Sequence, residues 1–322
     1  MKIPFLSLTF MTILLGILVH HSHSTEIQPP KVPPILQQKS QKLPILPTGY
    51  QSPRFHGLPQ VIHSAHDLTL LFDSTSSTLK DLRRTKKANP FIFKNLPKDL
   101  KTLPVKEKTD NFIALITPHI IEVNSDVLRV RMVVDSLRTI LKQGKTITPE
   151  EKEWLSFLAT ELRLSSPNPD SLYNRINTIP VALMVAQAIN ESGWGTSRFA
   201  VDGNALFGQH AARNGNLSYI TSHSGTAHVA AFDDLYLCMA GYILNINRNK
   251  SYRYLRTLRS NLERQGRPIT GTVLAQGLIN YSERGQEYVD ELRGIIRHYG
   301  LEELNECVID TTKQLNYYQF TR

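Results

Sequence analysis

Apolar residues recur with the period of an α-helix through much of the chain after residue 110. The clearest run begins after Pro180, which suits the first helical turn, and ends before Gly193, a residue type common at helix ends. Its apolar positions are Val181, Met184, Val185, Ala188 and Ile189. Their spacing predicts a helix with one buried face.

Glu191 lies near the end of this predicted helix, seven residues after Met184 and three after Ala188. If the helix extends that far, the carboxylate projects along the apolar face. Desolvation there disfavours the charged form and raises the pKa, which is the property that a general acid needs near neutral pH. An ordinary surface glutamate in the last helical turn fits the same spacing, so both interpretations stay open.

The segment before this helix predicts further helices. An apolar face runs through residues 123–141, and we expect Pro118 to interrupt it at its start. Thr148, with Glu151 three residues later, has the pattern of a capping box that opens another helix. One more helix is predicted near residues 66–87.

The segment after residue 210 predicts a hairpin followed by helices. Residues 217–232 have Gly225 in the middle and β-branched and aromatic residues around it, which favours a β-hairpin. Asp233 and Asp234 precede an apolar helical run and fit the role of helix cap.

An arginine-rich helix is predicted within residues 247–267. Arg253, Arg256 and Arg259 recur every three residues and therefore share one side of it. They form either a solvated face or a surface that binds carboxylates through bidentate contacts.

The first 24 residues have the layout of a secretory signal peptide. Lys2 precedes an apolar run over residues 3–19, and the small-residue pattern ends at Ser24. An uncleaved anchor is the alternative, because about 17 apolar residues is the lower limit for spanning a bilayer. We expect a periplasmic or secreted protein that has no stable membrane insertion after signal cleavage.

The remaining chain divides by composition. Residues 25–109 predict a Pro-rich and basic extension that is partly disordered. Residues 110–300 predict the main domain, with supporting helices over 110–165 and a catalytic core over 170–300. Residues 301–322 are expected to form a C-terminal tail.

The net charge indicates which classes of partner fit the protein, and the cysteines bear on disulfide and metal chemistry. The 322 residues carry a formal net charge of +9, which predicts an anionic partner: nucleic acid, anionic lipid or cell wall. Expected export argues against nucleic acid. Cys238 and Cys307 fit either one disulfide or buried free thiols, and no metal-ligand spacing occurs. The sequence predicts no cofactor and no metal, and it leaves the oligomeric state open.

Several blocks resemble one known family. The runs AQAINESGWGTSRFA and GNALFGQ are similar to the motif of the bacterial endo-β-N-acetylglucosaminidases of glycoside hydrolase family 73, and in particular to its Bax-type branch. Similar blocks, in order, are NFIALITPHIIEVNSDVLRVR, YILNINRNKSYRYLRTLR and LINYSERGQEYVDELRGII. The resemblance covers residues 110–300. It implies a mainly α, lysozyme-like fold with a small β-hairpin beside a cleft for the glycan strands of peptidoglycan.

The resemblance also implies roles for particular residues. Glu191 corresponds to the general acid, and Tyr281 to a tyrosine that faces it and positions substrate or stabilises charge. The substrate-binding candidates are Asn204, Phe207, Gln209, Trp194 and His228. Phe207 and Trp194 fit core packing as well as sugar contacts.

The sequence departs from the family at the second carboxylate. Where the Bax-type branch has a run similar to HEVAKF, this chain has AHVAAF, and His228 occupies the glutamate position. The second catalytic role then falls to Asp233 or Asp234, to His228 as a base, or to the 2-acetamido group of the substrate itself. A weakened or inactive enzyme is the fourth possibility.

These patterns predict a peptidoglycan hydrolase that cleaves the N-acetylglucosaminyl β-1,4 bond, with slight preference for substrate assistance. A lytic transglycosylase is the nearest alternative, although such enzymes usually carry a GLMQ-like block where this chain has LFGQ. A peptidoglycan-binding protein that has lost turnover is the alternative from another class.

Overall fold

The computed structural model describes residues 43–44, 46–47, 58–210, 218–222, 225 and 228–321. The predicted signal peptide and most of the Pro-rich segment lie outside these residues. The described residues belong to one compact unit, Leu43–Arg322. Within them, no helix has both the length and the apolar character that crossing a bilayer requires.

The described chain is mainly α-helical with a few short strands, which confirms the predicted fold class. The helices are α1 (Ala65–Thr75), α2 (Leu79–Thr85), α3 (Val105–Lys142), α4 (Pro149–Glu161), α5 (Pro169–Arg175), α6 (Val181–Ser192), α7 (Arg198–Gly203), α8 (Leu235–Arg248), α9 (Arg253–Arg264), α10 (Gly271–Leu274) and α11 (Gln286–His298). The strands are β1 (Gln60–Ile62), β2 (Lys87–Ala88), β3 (Phe91–Phe93), β4 (Tyr219–Thr221), β5 (His228–Ala230), β6 (Val308–Ile309) and β7 (Asn316–Phe320).

Helix α6 lies at the centre of the fold. It packs against α3, α10 and α11, and every side chain from 181 to 189 is buried. The expectation of a single buried face was therefore wrong, because neighbouring elements cover the whole circumference. Its predicted ends are confirmed: Pro180 immediately precedes the helix, and Gly193 follows it with φ +59°, the left-handed conformation of a helix end.

Helix α3 is 38 residues long and contains Pro118 in its interior. The predicted interruption at Pro118 was wrong. All residues from 111 to 121 are buried, and this packing outweighs a proline penalty of about 3 kcal/mol. The capping box that opens α4 is confirmed, with Thr148 and Glu151 each bonded to the main chain of the other.

A parallel sheet joins segments that are far apart in the chain. β7 lies between β1 and β3 and is parallel to both. Stacked aromatic rings bury this sheet, with Phe93 5.3 Å from Tyr318 and 5.9 Å from Phe320 between ring centroids. The predicted extension and tail were therefore wrong for residues 58–109 and 301–321, which pack into the same unit as the central helices.

The predicted helix at residues 66–87 is two helices, α1 and α2. Ser76 adopts the left-handed conformation at the end of α1 (φ +52°), and Thr78 caps α2 by accepting the backbone N–H of Asp81. Cys238 and Cys307 are both buried free thiols, which decides between the two interpretations left open by the sequence.

The predicted hairpin is confirmed. β4 and β5 pair antiparallel, with Thr221 opposite His228. On its other edge β5 pairs with the chain just after α7: His210 bridges Val229, and the Ala230 N–H donates to the carbonyl of Gln209 at 2.8 Å. The hairpin thereby fixes the position of residues 209–210.

Candidate active site

Helix α6 positions one carboxylate, that of Glu191, in a surface cleft. Glu191 is the last residue but one of α6, and its side chain emerges from the core half-buried. The cleft has a volume of about 520 Å³. Its lining residues are Asn190, Glu191, Gly208, Gln209, His210, Asn245, Asn249, Ser251, Tyr252, Asn280, Tyr281, Ser282, Arg284 and Tyr288. Glu191 is the one carboxylate among these described lining residues, and most of its neighbours carry amides or hydroxyls.

The two oxygens of Glu191 have different surroundings. Oε1 accepts a hydrogen bond from the Tyr288 hydroxyl at 2.7 Å. Oε2 faces Gly208, where an added Cβ would lie 3.9 Å away. Gly208 has φ +58°, so a glycine suits the backbone here and keeps the approach to Oε2 clear. One oxygen is thus held by protein while the other is presented to the cleft.

Burial raises the pKa of Glu191 above its ordinary value. The hydrogen bond from Tyr288 acts in the opposite direction because it favours the charged form, and the negative charge of Glu291 adds to the increase. The direction agrees with the desolvation expected from the sequence. A carboxyl of this kind retains its proton closer to neutral pH than an exposed one.

A chain of buried hydrogen bonds supports Glu191 from below. Gln187, one helical turn earlier on α6, donates from Nε2 to the Tyr288 hydroxyl at 3.1 Å. The Tyr242 hydroxyl in turn donates to Oε1 of Gln187. Gln187 and Tyr242 are fully buried. Since each group has its partner, the network locks the orientation of Tyr288 and through it that of Glu191.

Tyr281 lies beside this network, as the family resemblance implies. Its ring stacks on Tyr288 with centroids 5.2 Å apart, and its hydroxyl donates to the carbonyl of Phe207 at 3.1 Å. Burial and the charge of Glu191 raise the pKa of Tyr281, so the phenol stays protonated. With its proton committed to a carbonyl, the Tyr281 oxygen is available in the cleft as an acceptor.

Gln209, a substrate-binding candidate from the sequence, also lines the cleft. Its Nε2 is buried and has no hydrogen-bond partner among the described residues. His210, which the sequence analysis did not select, follows it on the cleft wall and is exposed.

Three other candidates do not reach the cleft surface. Asn204 is buried and donates from Nδ2 to the carbonyls of Lys94 (3.0 Å) and Phe232 (2.9 Å), which ties the end of α7 to neighbouring segments. Phe207 is buried and stacks on Tyr242 at 3.9 Å. Trp194 packs against the core, with Lys108 Nζ 5.6 Å from its ring centroid, and does not line the cleft.

His228 and the aspartates before α8 are also outside the cleft lining. The His228 ring contacts Tyr219 with centroids 4.4 Å apart, and its Nδ1 lies 3.3 Å from the hydroxyl of Thr221. Asp234 caps α8 by accepting the Leu237 N–H at 2.7 Å, and burial raises its pKa to about 6. Asp233 is exposed to solvent.

Sequence reasoning missed Tyr288, Gln187 and Tyr252. Gln187 was the available signal, because it is the one polar side chain in the apolar run of residues 181–189, four residues before Glu191. A buried amide of this kind requires polar partners.

One family model matches the segment that contains Glu191 and the cleft lining. Residues 170–301 match the family model Glucosaminidase, described as mannosyl-glycoprotein endo-beta-N-acetylglucosaminidase. "Protein bax" of Escherichia coli (strain K12) is 28% identical over 120 residues, which are 37% of this chain and 42% of that protein. This chain thus spans less than half the length of that relative.

Two solved structures are similar over part of the chain. The catalytic domain of the autolysin Auto from Listeria monocytogenes has 18% identity and a TM-score of 0.31, over 53% of this chain and 96% of that one. A peptidoglycan hydrolase from Sphingomonas sp. A1 has 19% identity and a TM-score of 0.32, over 47% of this chain and 85% of that one.

Proposed function

We propose that this protein is a cell-wall hydrolase that cleaves the N-acetylglucosaminyl β-1,4 bond of peptidoglycan, with Glu191 as general acid. The observation that carries the proposal is the half-buried Glu191 carboxyl, held at Oε1 by Tyr288 and open to the cleft at Oε2. The glucosaminidase family match over residues 170–301 supports the substrate class and includes every residue of this arrangement.

The lining of the cleft suits an uncharged sugar chain. Asn190, Asn245, Asn249 and Asn280 all line it. Amides donate and accept hydrogen bonds and therefore match sugar hydroxyls and the acetamido group of N-acetylglucosamine. Gln209 also lines the cleft and adds a fifth amide of the same chemistry.

The first chemical step requires a proton for the leaving oxygen. Glu191, whose pKa is raised by burial, donates that proton from Oε2 as the bond between the anomeric carbon and the leaving oxygen breaks. Tyr288 holds the other oxygen throughout, so the proton remains on the side that faces substrate.

For the second role we propose the 2-acetamido group of the substrate. Its carbonyl oxygen bonds to the anomeric carbon while the leaving oxygen departs, which gives a cyclic oxazolinium. Glu191, now a carboxylate, then accepts a proton from water as the water oxygen attacks the anomeric carbon and the ring opens. This route needs no second carboxylate, in accord with a described cleft lining that offers only one.

Tyr281 fits a supporting role in this route. Its proton points to the Phe207 carbonyl, so its oxygen can accept the N–H of the acetamido group. That contact orients the acetamido oxygen towards the anomeric carbon and strengthens as positive charge develops on the ring nitrogen.

Digestion of purified sacculi tests the proposal, with products identified by mass. The wild type should release new reducing N-acetylglucosamine ends, and Glu191→Gln, which keeps the size of the side chain, should release none. Glu283→Gln, an exposed neighbour of the cleft, is the matched control and should retain activity. Anhydro-muramic ends would indicate a lytic transglycosylase. Binding to sacculi without any product would indicate a wall-binding protein.

A further inference from the structure

Four arginines line a second pocket that the proposed reaction does not use. Arg175, Arg253, Arg256 and Arg264 surround a cavity of about 450 Å³, which we call the arginine pocket. Asn174 and Asn261 also line it. Arg259 is not part of it, contrary to the pattern along α9: it is fully buried and donates to the carbonyl of Thr178 and to Asn247.

The arginine pocket lacks a matching negative charge. None of its four arginines forms an ion pair with a carboxylate among the described residues, whereas Arg131 and Arg138 on the neighbouring α3 do. Arg175 and Arg256 donate to main-chain carbonyls instead, at 2.6 to 3.3 Å. These bonds fix two guanidinium groups in place and leave their charges uncompensated.

Arg253 and Arg264 are the exposed members. Arg264 donates to Asn261 at 2.5 Å, and the guanidinium of Arg253 has no hydrogen bond within the part of the chain that the structure describes. Burial and the neighbouring positive charges of Arg175 and Arg253 lower the pKa of Arg256 to about 10. Mutual repulsion of this kind is relieved when an anion binds between the groups.

The arginine pocket adjoins the cleft. Asn249, Ser251 and Tyr252 line the cleft, and the next residue, Arg253, lines the arginine pocket. Arg256 also donates from Nη1 to the carbonyl of Asn249 at 2.7 Å. A short turn, with a rise of about 2 Å per residue, therefore separates the two sites.

We propose that the arginine pocket binds the carboxylates of the peptide stems on the glycan strand whose sugars occupy the cleft. This inference rests on the proposed function. Stems branch from alternate sugars and carry several free carboxylates, so a strand in the cleft places a stem beside it. Arginine suits this ligand because its planar guanidinium forms paired bonds to a carboxylate.

Binding to isolated glycan strands tests the inference without turnover. All variants are made in Glu191→Gln, which leaves the strands uncut, and titration calorimetry measures binding to strands freed by an endopeptidase, which keep their stems, and to strands stripped of stems by an amidase. Arg253→Gln with Arg264→Gln removes the two exposed charges and leaves Arg175 and Arg256 to support the backbone. Arg267→Gln, an exposed arginine after α9 that does not line the pocket, is the control.

The parent should bind stem-bearing strands about tenfold more tightly than stripped ones, the scale of one charged hydrogen-bonding contact, and the double variant should lose this preference. Arg267→Gln should keep it. Equal binding of the parent to both kinds of strand, or equal losses on both in the double variant, would overturn the inference. Tighter binding to a glycerol-phosphate polymer than to stems would overturn it in favour of a phosphate ligand.

The two proposals fail separately. Release of reducing N-acetylglucosamine ends by the wild type, measured on the same stripped strands, reports on hydrolysis alone. Hydrolysis without stem preference refutes only the arginine pocket assignment. Stem preference without hydrolysis refutes only the proposed reaction.

Discussion

The hydroxyl of Tyr288 donates to Oε1 of Glu191 at 2.7 Å, and so α11 holds the carboxylate that α6 presents to the cleft. Two helices that are nearly 100 residues apart in sequence share this contact. Their relative position therefore determines how the acid side chain is oriented.

Tyr288→Phe should change the pH dependence of hydrolysis. The hydrogen bond favours the charged carboxylate, so its loss raises the pKa of Glu191 further. The acid form then persists to higher pH, and the alkaline limb of the rate profile should move upward. The rate at the optimum should fall about tenfold because the carboxyl loses its orientation. Rates across pH check both effects. Tyr254→Phe, an exposed tyrosine on α9, should change neither, and an alkaline limb that moves downward would contradict the assignment.

Gln187→Leu should destabilise the protein and reduce its activity together. Gln187 accepts from Tyr242 and donates to Tyr288 inside the core. Leucine fills the same space but leaves the buried Tyr242 hydroxyl without a partner and removes one of the two bonds of Tyr288, at a cost of about 1–3 kcal/mol. Urea unfolding measures the loss. Gln143→Leu, on the exposed end of α3, is the control; equal stability of the two variants would show that the buried chain contributes nothing.

His228→Ala should leave hydrolysis of sacculi within about twofold of the wild type. His228 contacts Tyr219 and Thr221 and does not line the cleft. A base acting on water typically contributes 10²–10⁴-fold, roughly, so removal of a true base would be unmistakable in the rate. A loss of that size at unchanged stability would refute substrate assistance as the second role.

Asn204→Ala should lower stability while the KM of the remaining folded enzyme stays unchanged. The substitution removes two hydrogen bonds and places alanine at φ +53°, for about 2–3 kcal/mol in total. Asn204→Gly removes the same bonds but accepts the backbone conformation, so it should be less destabilised than Asn204→Ala. Thermal unfolding ranks the variants. A large increase in KM would instead support the substrate contact predicted from the sequence.

The protein should lose stability in mild acid through His119. This imidazole is fully buried between the Phe93 N–H and the carbonyl of Leu115, and burial lowers its pKa from 6.5 to about 4. The unfolded chain binds the proton more readily, so the contribution is complete above pH 6.5 and is lost as pH falls towards 4. The raised pKa values of Asp234 and Glu191 act in the opposite direction, so the effect is measured as the difference between the wild type and His119→Gln. Relative to that variant, the free energy of urea unfolding of the wild type should fall by about 2 kcal/mol between pH 7.5 and pH 5.

Local patterns in the sequence predicted what local chemistry determines. The capping box at Thr148, the aspartate cap at Asp234, the hairpin and the end of α6 at Gly193 each depend on a few adjacent residues. Each signature lies within a few adjacent residues, so it can be recognised without a structure.

The same local patterns did not predict contacts between segments that are far apart in the sequence. β1 and β3 have three residues each and β7 has five, too few for a periodic signal, and their pairing brings together segments more than 200 residues apart. Pro118 sits inside α3 because tertiary burial outweighs local preference. The family resemblance implied Glu191 and Tyr281 but not Tyr288, whose hydrogen bond to Glu191 is visible only once α11 is placed against α6.

The position of β7 between β1 and β3 bears on how the molecule is made. β1 and β3 are synthesised long before β7, the strand that pairs with both. Their edges that face β7 therefore lack this partner through most of translation. The sheet closes only after residues 316–320 have emerged, which makes its assembly a late and slow event relative to the helices. A holdase that shields extended apolar segments would therefore raise the yield of native protein more than one that acts on helices.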